Sequence, residues 1–406
     1  MEEHDKAAPA AGASVALESM IAQPTAQSLE PSVARPSEPR RLSLQFTGSG
    51  SEYFRIWIVN LLLSLVTLGL YLPHAKARRL RYFYANTLVD GEALAFHGDP
   101  WRMFRGFVLL AVLMGCYAVA GQMSPTSGFI AFLVLCAVWP ALWQSSLSFR
   151  LSNTSWRGLR FRFLGSKKDA YLTLLPTYLP TIALVGVQAF FAKDLMASDG
   201  KPEGPALAWM GTIVLVWYLL TPWMLWSLKR YQHGAYAFAS QRTRMPVGLG
   251  AFYLMALKAL GVLLLALVAI FGMIFLGGWL SKGNMTWMIG SVMLGYLIFF
   301  VITAPYFTAR VQNLVWGHTE AQALRFDSQL SFGSLALLTL KNWLLTAVTL
   351  GLYRPFAAVR TAKLRLESLS IHCSEDPAEW MQAAMQVDKD AAGEAAGDFF
   401  GIDVGL

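Results

Sequence analysis

LGVLLLALVAIFGMIFLGGWL, residues Leu260–Leu280, contains no charged side chain and is long enough to cross a bilayer as a helix. Seven more apolar stretches accompany it: Ile56–Leu72, Gly106–Met123, Gly128–Ser148, Ala170–Ala192, Pro205–Leu228, Met285–Ala309 and Leu335–Tyr353. Most reach the roughly 18–20 residues that span hydrocarbon. No single soluble core buries that much apolar surface. The chain therefore reads as a polytopic α-helical membrane protein with eight apolar segments. Its charged fraction of 14% agrees, because soluble domains carry about a quarter.

Charge sets the expected orientation. The loops after the second, fourth and sixth stretches carry three cations, Lys193, Lys201 and Lys282, while the segments on the other side carry eighteen. The positive-inside rule predicts that the basic side is cytoplasmic. The net charge of +8 then points to membrane lipids as partners and not to nucleic acid. Residues 1–39 are rich in Ala, Pro, Ser and Glu without apolar period, which predicts a disordered cytosolic tail. The start Met1-Glu2-Glu3-His4-Asp5 lacks the pattern of a cleaved signal peptide. Residues 40–375 form the expected membrane domain. Residues 376–406 form an acidic tail with room for a short helix at Pro377–Val387.

Two internal repeats run through the membrane domain. Asn86-Thr87, Gly91, Phe96 and Gly98 recur 67 residues later as Asn153-Thr154, Gly158, Phe163 and Gly165. Each copy predicts a turn, at Asn or Gly with φ > 0, followed by a short strand. Weaker copies lie at Leu42–Gly48, Gly234–Phe238, His318–Phe326 and Leu369–Ile371. A second repeat joins the first and last stretches: Asn60, Thr67-Leu68-Gly69-Leu70-Tyr71, Pro73 and Arg78 match Asn342, Thr349–Tyr353, Pro355 and Arg360, each 282 residues further on. The chain is expected to be built from duplicated units of cytoplasmic strand and membrane helix.

The runs at Phe46–Trp57, Thr67–Tyr71, Arg81–Thr87 and Asn153–Phe161 resemble the YjgN-type family of bacterial inner-membrane proteins of unknown function. The resemblance covers about residues 40–375. It implies a multi-pass helical protein of the bacterial inner membrane and brings no substrate or active-site residues with it.

The repeats conflict with plain eight-fold crossing. If Ile56–Leu72 crosses fully, the strand at Leu42–Phe46 lies on the opposite side from its copies. Seventeen helical residues also reach only about 25 Å, short of the roughly 30 Å hydrocarbon core. The favoured expectation is that the first and last segments dip in and return, with three full hairpins between them and both termini cytoplasmic. Eight full crossings with both termini outside is the alternative.

Residues able to do chemistry are few. Proline recurs at Pro73, Pro140, Pro222, Pro305 and Pro355, and Pro176 and Pro180 interrupt the fourth stretch. Broken helices in duplicated halves free carbonyls for a solute. Pro176, Thr177, Pro180 and Gln188 are therefore the candidate transport path, against a bland reading as inherited kinks. Arg78, Arg79, Arg81, Arg157, Arg160 and Arg162 are the candidate lipid-facing basic patch. No apolar stretch contains Asp or Glu, which weighs against proton coupling. The three cysteines and six histidines lack metal spacing, and no nucleophile or phosphate-loop motif is present. No cofactor, metal or catalytic residue is expected. Two functions remain: a transporter or channel for a small polar or amphiphilic solute, and a non-transporting envelope protein that binds anionic lipid or organises partner proteins.

Overall fold

Thr67-Leu68-Gly69-Leu70-Tyr71 is a chain reversal. In the computed structural model, which describes residues 40–190, 205–281, 284–378, 380–382 and 384, helix α1 (Gly50–Val66) ends there and α2 (Leu72–Ala85) leads back. Leu68 and Gly69 take φ of 51° and 91°. The Gly69 amide donates to the Ser64 carbonyl at 2.7 Å and the Leu68 amide to Leu65 at 3.2 Å, the paired bonds of a Schellman stop. Thr67 Oγ1 donates to Leu63 O at 2.7 Å and accepts from the Tyr71 amide at 3.0 Å, so one hydroxyl joins both helices. The second copy repeats each bond: Gly351 to Thr346, Leu350 to Ala347, and Thr349 between Leu345 and Tyr353. Helices α9 (Phe332–Val348) and α10 (Arg354–Glu367) form that hairpin.

Between the two hairpins, among the described residues, lie six helices long and apolar enough to cross a membrane: α3 (Pro100–Met123), α4 (Pro125–Ser152), α5 (Lys167–Phe190), α6 (Pro205–His233), α7 (Leu249–Ser281) and α8 (Met285–Trp316). The eight apolar stretches thus resolve into six helices of spanning length. The first and last stretches give only α1 and α9, of 17 residues each. The physical reason is the left-handed turn, which stops each helix before it reaches that length.

The strands are β1 (Arg40–Phe46), β2 (Thr87–Val89), β3 (Glu92–Phe96), β4 (Thr154–Trp156), β5 (Leu159–Phe163), β6 (Tyr236–Phe238), β7 (Gln241–Arg242), β8 (Leu324–Ser328) and β9 (Leu369–Cys373). All neighbours are antiparallel, in the order β7-β6-β5-β4-β3-β2-β1-β9-β8. The two ends meet. Glu320 bridges Arg244, just past β7, on one side and Arg325 of β8 on the other. The sheet is therefore a closed ring. Leu42, Val89, Trp156, Leu159, Phe238 and Cys373 pack together, joined by Trp380 and Met381 from the chain beyond β9. Trp156 Nε1 donates to the Val89 carbonyl at 3.2 Å, which satisfies its buried N–H.

The turns differ in one detail from the sequence expectation. Asp90-Gly91 and Arg157-Gly158 hold the left-handed positions of the two-residue hairpins. Asn86 and Asn153 take φ of −96° instead, and their Nδ2 atoms donate to the Tyr82 and Phe149 carbonyls at 2.9 and 2.8 Å. A short amide side chain here adds a second donor to a helix-end carbonyl that the residue's own backbone amide already reaches.

The five recurrent prolines mark one place in five units. Pro73, Pro140 and Pro355 each lie 12 residues before the last residue of α2, α4 and α10 (85−73, 152−140, 367−355). Pro222 and Pro305 lie 11 before the ends of α6 and α8 (233−222, 316−305). In α2 and α10 the proline opens the helix, where its missing N–H costs nothing. In α4, α6 and α8 it sits inside. The segments of α4, α6 and α8 nearest the ring are thus equivalent to the whole of α2 and α10.

Each helix packs chiefly on its neighbours in the chain, and α10 packs on α1. At that last contact Gly50 lies against the Phe356 ring, with no room for a Cβ. The α7–α8 pair is the closest, with Gly277 against Ser291 and Gly295 against Ile270.

Candidate functional site

Pro176, Thr177, Pro180 and Gln188 all lie on α5. Pro180 is buried, Pro176 and Thr177 are partly buried, and Gln188 is exposed on the helix surface. Thr177 Oγ1 donates to the Leu174 carbonyl at 2.7 Å, which occupies its proton locally. Between them, the Tyr178 hydroxyl is buried without a hydrogen-bond partner.

The six arginines of the candidate basic patch fall into two groups. Arg78, Arg79 and Arg81 are on α2 and serve their own hairpin and its neighbour. Arg78 Nη1 donates to the Tyr71 hydroxyl at 3.2 Å and reaches Asn60 Oδ1 at 3.5 Å. The Arg79 guanidinium covers the Phe83 ring at 5.7 Å, and Arg81 donates to the Gly98 carbonyl at 3.0 Å. Arg157, Arg160 and Arg162 are on the ring. Arg157 pairs with Asp90 at 3.2 Å and stacks on Trp156, while Arg160 and Arg162 share the exposed face of β5.

Three clefts open between the elements. The first, of 390 Å³, is walled by Leu72, Pro73, Met103, Phe107, Trp139 and Leu142, with Lys76 as its only charged side chain. The second, of 370 Å³, lies among α6, α7 and α8 and is bounded by Pro222, Tyr253, Leu260, Thr303 and Tyr306. The third, of 520 Å³, is polar and sits where α5 and α6 meet the ring, with Asp169, Arg230, Arg242 and Arg244 in its wall. Arg244 is paired with Glu320 at 3.0 Å and Arg230 lies over Trp226, so much of its charge is already engaged. The four α5 residues line none of these three clefts.

Near the ring, burial governs the titratable groups. It pulls the Arg365 guanidinium below its usual range and pushes the Cys373 thiol up. It also raises the Tyr236 hydroxyl well above the ordinary phenol range, against a smaller opposing pull from nearby Arg150. Lys76, Lys229 and Arg365 were not singled out by sequence reasoning for binding. Among the described residues no group of His, Cys, Asp or Glu is arranged to hold a metal ion.

Comparison with known proteins finds similar chains among bacterial inner membrane proteins. The profile of a family described as "Bacterial protein of unknown function (DUF898)" matches residues 41–399. The inner membrane protein YjgN of Salmonella typhimurium is 25% identical over 346 residues, covering 78% of this chain and 85% of that protein. The inner membrane protein YjgN of Escherichia coli O157:H7 is 32% identical over 154 residues, 37% of each chain. No solved structure matches the chain.

Proposed function

We propose, from the premise that this chain belongs to the DUF898 family of bacterial membrane proteins of unknown function, that it carries an amphiphilic solute between the bilayer and its ring end. The observation that supports this most is the first cleft. Its walls are apolar and its one charged side chain is Lys76, which is the chemistry of a site for a molecule with an oily body and a polar head. The reading assigns no catalysis. It puts the ring in the cytoplasm, on the strength of eighteen cations against three. The α1–α2 and α9–α10 hairpins then dip into the inner membrane from that side and return, and both termini are cytoplasmic. The α5 prolines act as a hinge beside the buried Tyr178 hydroxyl.

Reconstitution into vesicles tests the reading. Vesicles containing the protein and nitrobenzoxadiazole-labelled phosphatidylglycerol are treated with dithionite. Carriage across the bilayer makes most of the label accessible within minutes, whereas loss of only the outer-leaflet half refutes it. Orientation is tested by a periplasmic reporter at residue 30, which stays inactive on this reading.

A second reading is a non-transporting protein that binds anionic lipid or organises partners. One observation favours it: among the described residues no carboxylate lies deeper in the six spans than Asp169, in the first turn of α5. An uphill transporter usually needs such a group. Downhill movement of an amphiphile does not.

A further inference from the structure

The chain beyond β9 carries its own helix start. Asp376 Oδ1 accepts from the Ala378 amide at 3.0 Å and Pro377 stands between them, the cap and first-position proline that open a helix. Every described residue from Pro377 to Ala384 is helical. Pro377, Trp380, Met381 and Ala384 are spaced so that they share one helix face. Pro377 is fully buried, Trp380 and Met381 are 7% and 3% exposed, and Ala384 packs on the same cluster. Ala378 and Gln382, on the other side, are exposed.

The seat of this helix is the mouth of the ring farthest from the long helices. Val89 and Trp156 stand directly before the hairpin turns Asp90-Gly91 and Arg157-Gly158, Phe238 stands before Ala239, and Cys373 ends β9. The opposite ends of β2, β4 and β6 follow α2, α4 and α6 within two residues. Trp380 meets the Phe238 ring edge-on at 5.8 Å and shares one apolar cluster with Leu42, Trp156 and Cys373.

Side-chain packing is what holds the helix there. The strand ring closes without it, through Glu320. Among the described residues, none beyond Glu375 is joined to the ring by a hydrogen bond or an ion pair. The Trp380 indole N–H is buried without a hydrogen-bond partner, a cost that leaving the seat removes because water then accepts from it. Trp156 differs on both counts: its N–H is satisfied by the Val89 carbonyl and its backbone is in a strand paired on both edges. An apolar helix face laid in an apolar seat, with an aromatic anchor and no main-chain pairing, is the mode of exchangeable helix docking.

We propose that the C-terminal helix is a removable stopper, which closes the far mouth of the ring and gates the exit of the carried amphiphile. The inference rests on the carriage reading for its cargo, whereas the lifting of the helix stands apart from it. Lifting uncovers Leu42, Trp156, Phe238 and Cys373, an apolar seat that takes the oily body of the amphiphile in place of the Trp380 face. Cys373 has no exposed surface while the helix is seated, so its thiol reports the opening.

Replacing Cys116 and Cys136 by alanine leaves Cys373 as the single thiol of the full-length protein. Its labelling by N-ethylmaleimide in lipid nanodiscs is followed beside the melting temperature. Trp380→Ala should speed labelling roughly tenfold or more, while lowering the melting temperature far less than Trp156→Ala does. A peptide with the sequence of residues 375–385, added in excess, should slow the labelling again. Gln382→Ala, on the exposed side, should change neither reading. Labelling that stays slow in Trp380→Ala, or that rises only with a loss of melting temperature equal to that of Trp156→Ala, makes the helix a fixed part of the core and overturns the stopper. In the dithionite assay, lipid movement should rise with the labelling rate. Movement at the parent rate despite faster labelling would remove the gate and leave carriage standing. Faster labelling in a protein that moves no lipid would refute carriage and leave the removable helix.

Discussion

Trp156 at the centre of the ring is 5% exposed, while on α6 the six consecutive residues Val214–Leu219 are all at least 38% exposed. Six consecutive positions circle a helix more than once. The α6 span meets protein through α5 on one side and α7 on another and is otherwise open, where its residues need only be apolar to suit lipid. Inside the ring each side chain meets a particular partner, as Trp156 meets Phe238 and the Val89 carbonyl. The ring is held by shape and hydrogen bonds. The spans are held mostly by their solvent, with close packing confined to contacts such as Gly277–Ser291. The arrangement of the hairpins is accordingly decided at the ring.

The contrast can be broken by unequal responses to similar substitutions. The largest should come from Trp156→Ala, which removes a ring-core side chain and should cost about 3–5 kcal/mol. Leu215→Ala, on the open side of α6, should stay within about 0.5 kcal/mol. Thermal melts in one detergent compare them, and similar losses would defeat the distinction. Next in size is Gly50→Val, which drives a side chain into Phe356 where α1 meets α10 and should cost about 1–3 kcal/mol. Adding Phe356→Ala should recover most of that, as read by the same melts. Gly69→Ala places a Cβ at φ 91° and should cost about 1 kcal/mol. Gly211→Ala, with open space around it on α6, should be neutral or slightly stabilising. The smallest effect should follow Asp90→Asn. It loses the ion pairs to Arg40 and Arg157, of which Arg40 is more than half exposed, and should cost under about 1 kcal/mol, less again in high salt.

Much of this fold was legible because the repeats carry physical instructions. The 67-residue copy places Gly91 and Gly158 where two-residue hairpins need φ > 0, and the 282-residue copy pairs two Schellman turns. The short helices α1 and α9 follow from Gly69 and Gly351 being turn residues. Other features were hidden for reasons equally physical. Glu320 closes the sheet through single-residue bridges, which leave no alternating pattern to read. Trp380 and Met381 show in the sequence as a loosely apolar side of a short helix in an acidic stretch, but nothing there says that they join the ring core. Lys76 looks like an ordinary boundary cation until the structure places it in the wall of the first cleft. The α5 candidates show the converse: proline and threonine are conspicuous within an apolar stretch, but Gln188 is exposed on the helix surface and Thr177 spends its proton on its own helix.

The position of β1 between β2 and β9 has a consequence for how the protein is made. The first of the described strands to leave the ribosome, β1, pairs on one edge with β2, whose Val89 faces Leu44, and on the other with β9, whose Ile371 faces Leu42. At ordinary synthesis rates the second partner arrives tens of seconds after the first. Throughout that wait one edge of β1 stays unpaired, and an open edge invites association with other chains and attack by proteases. Any product truncated before Leu369 keeps that edge indefinitely. Closure of the ring is therefore a completion signal, by which a finished chain differs from an unfinished one.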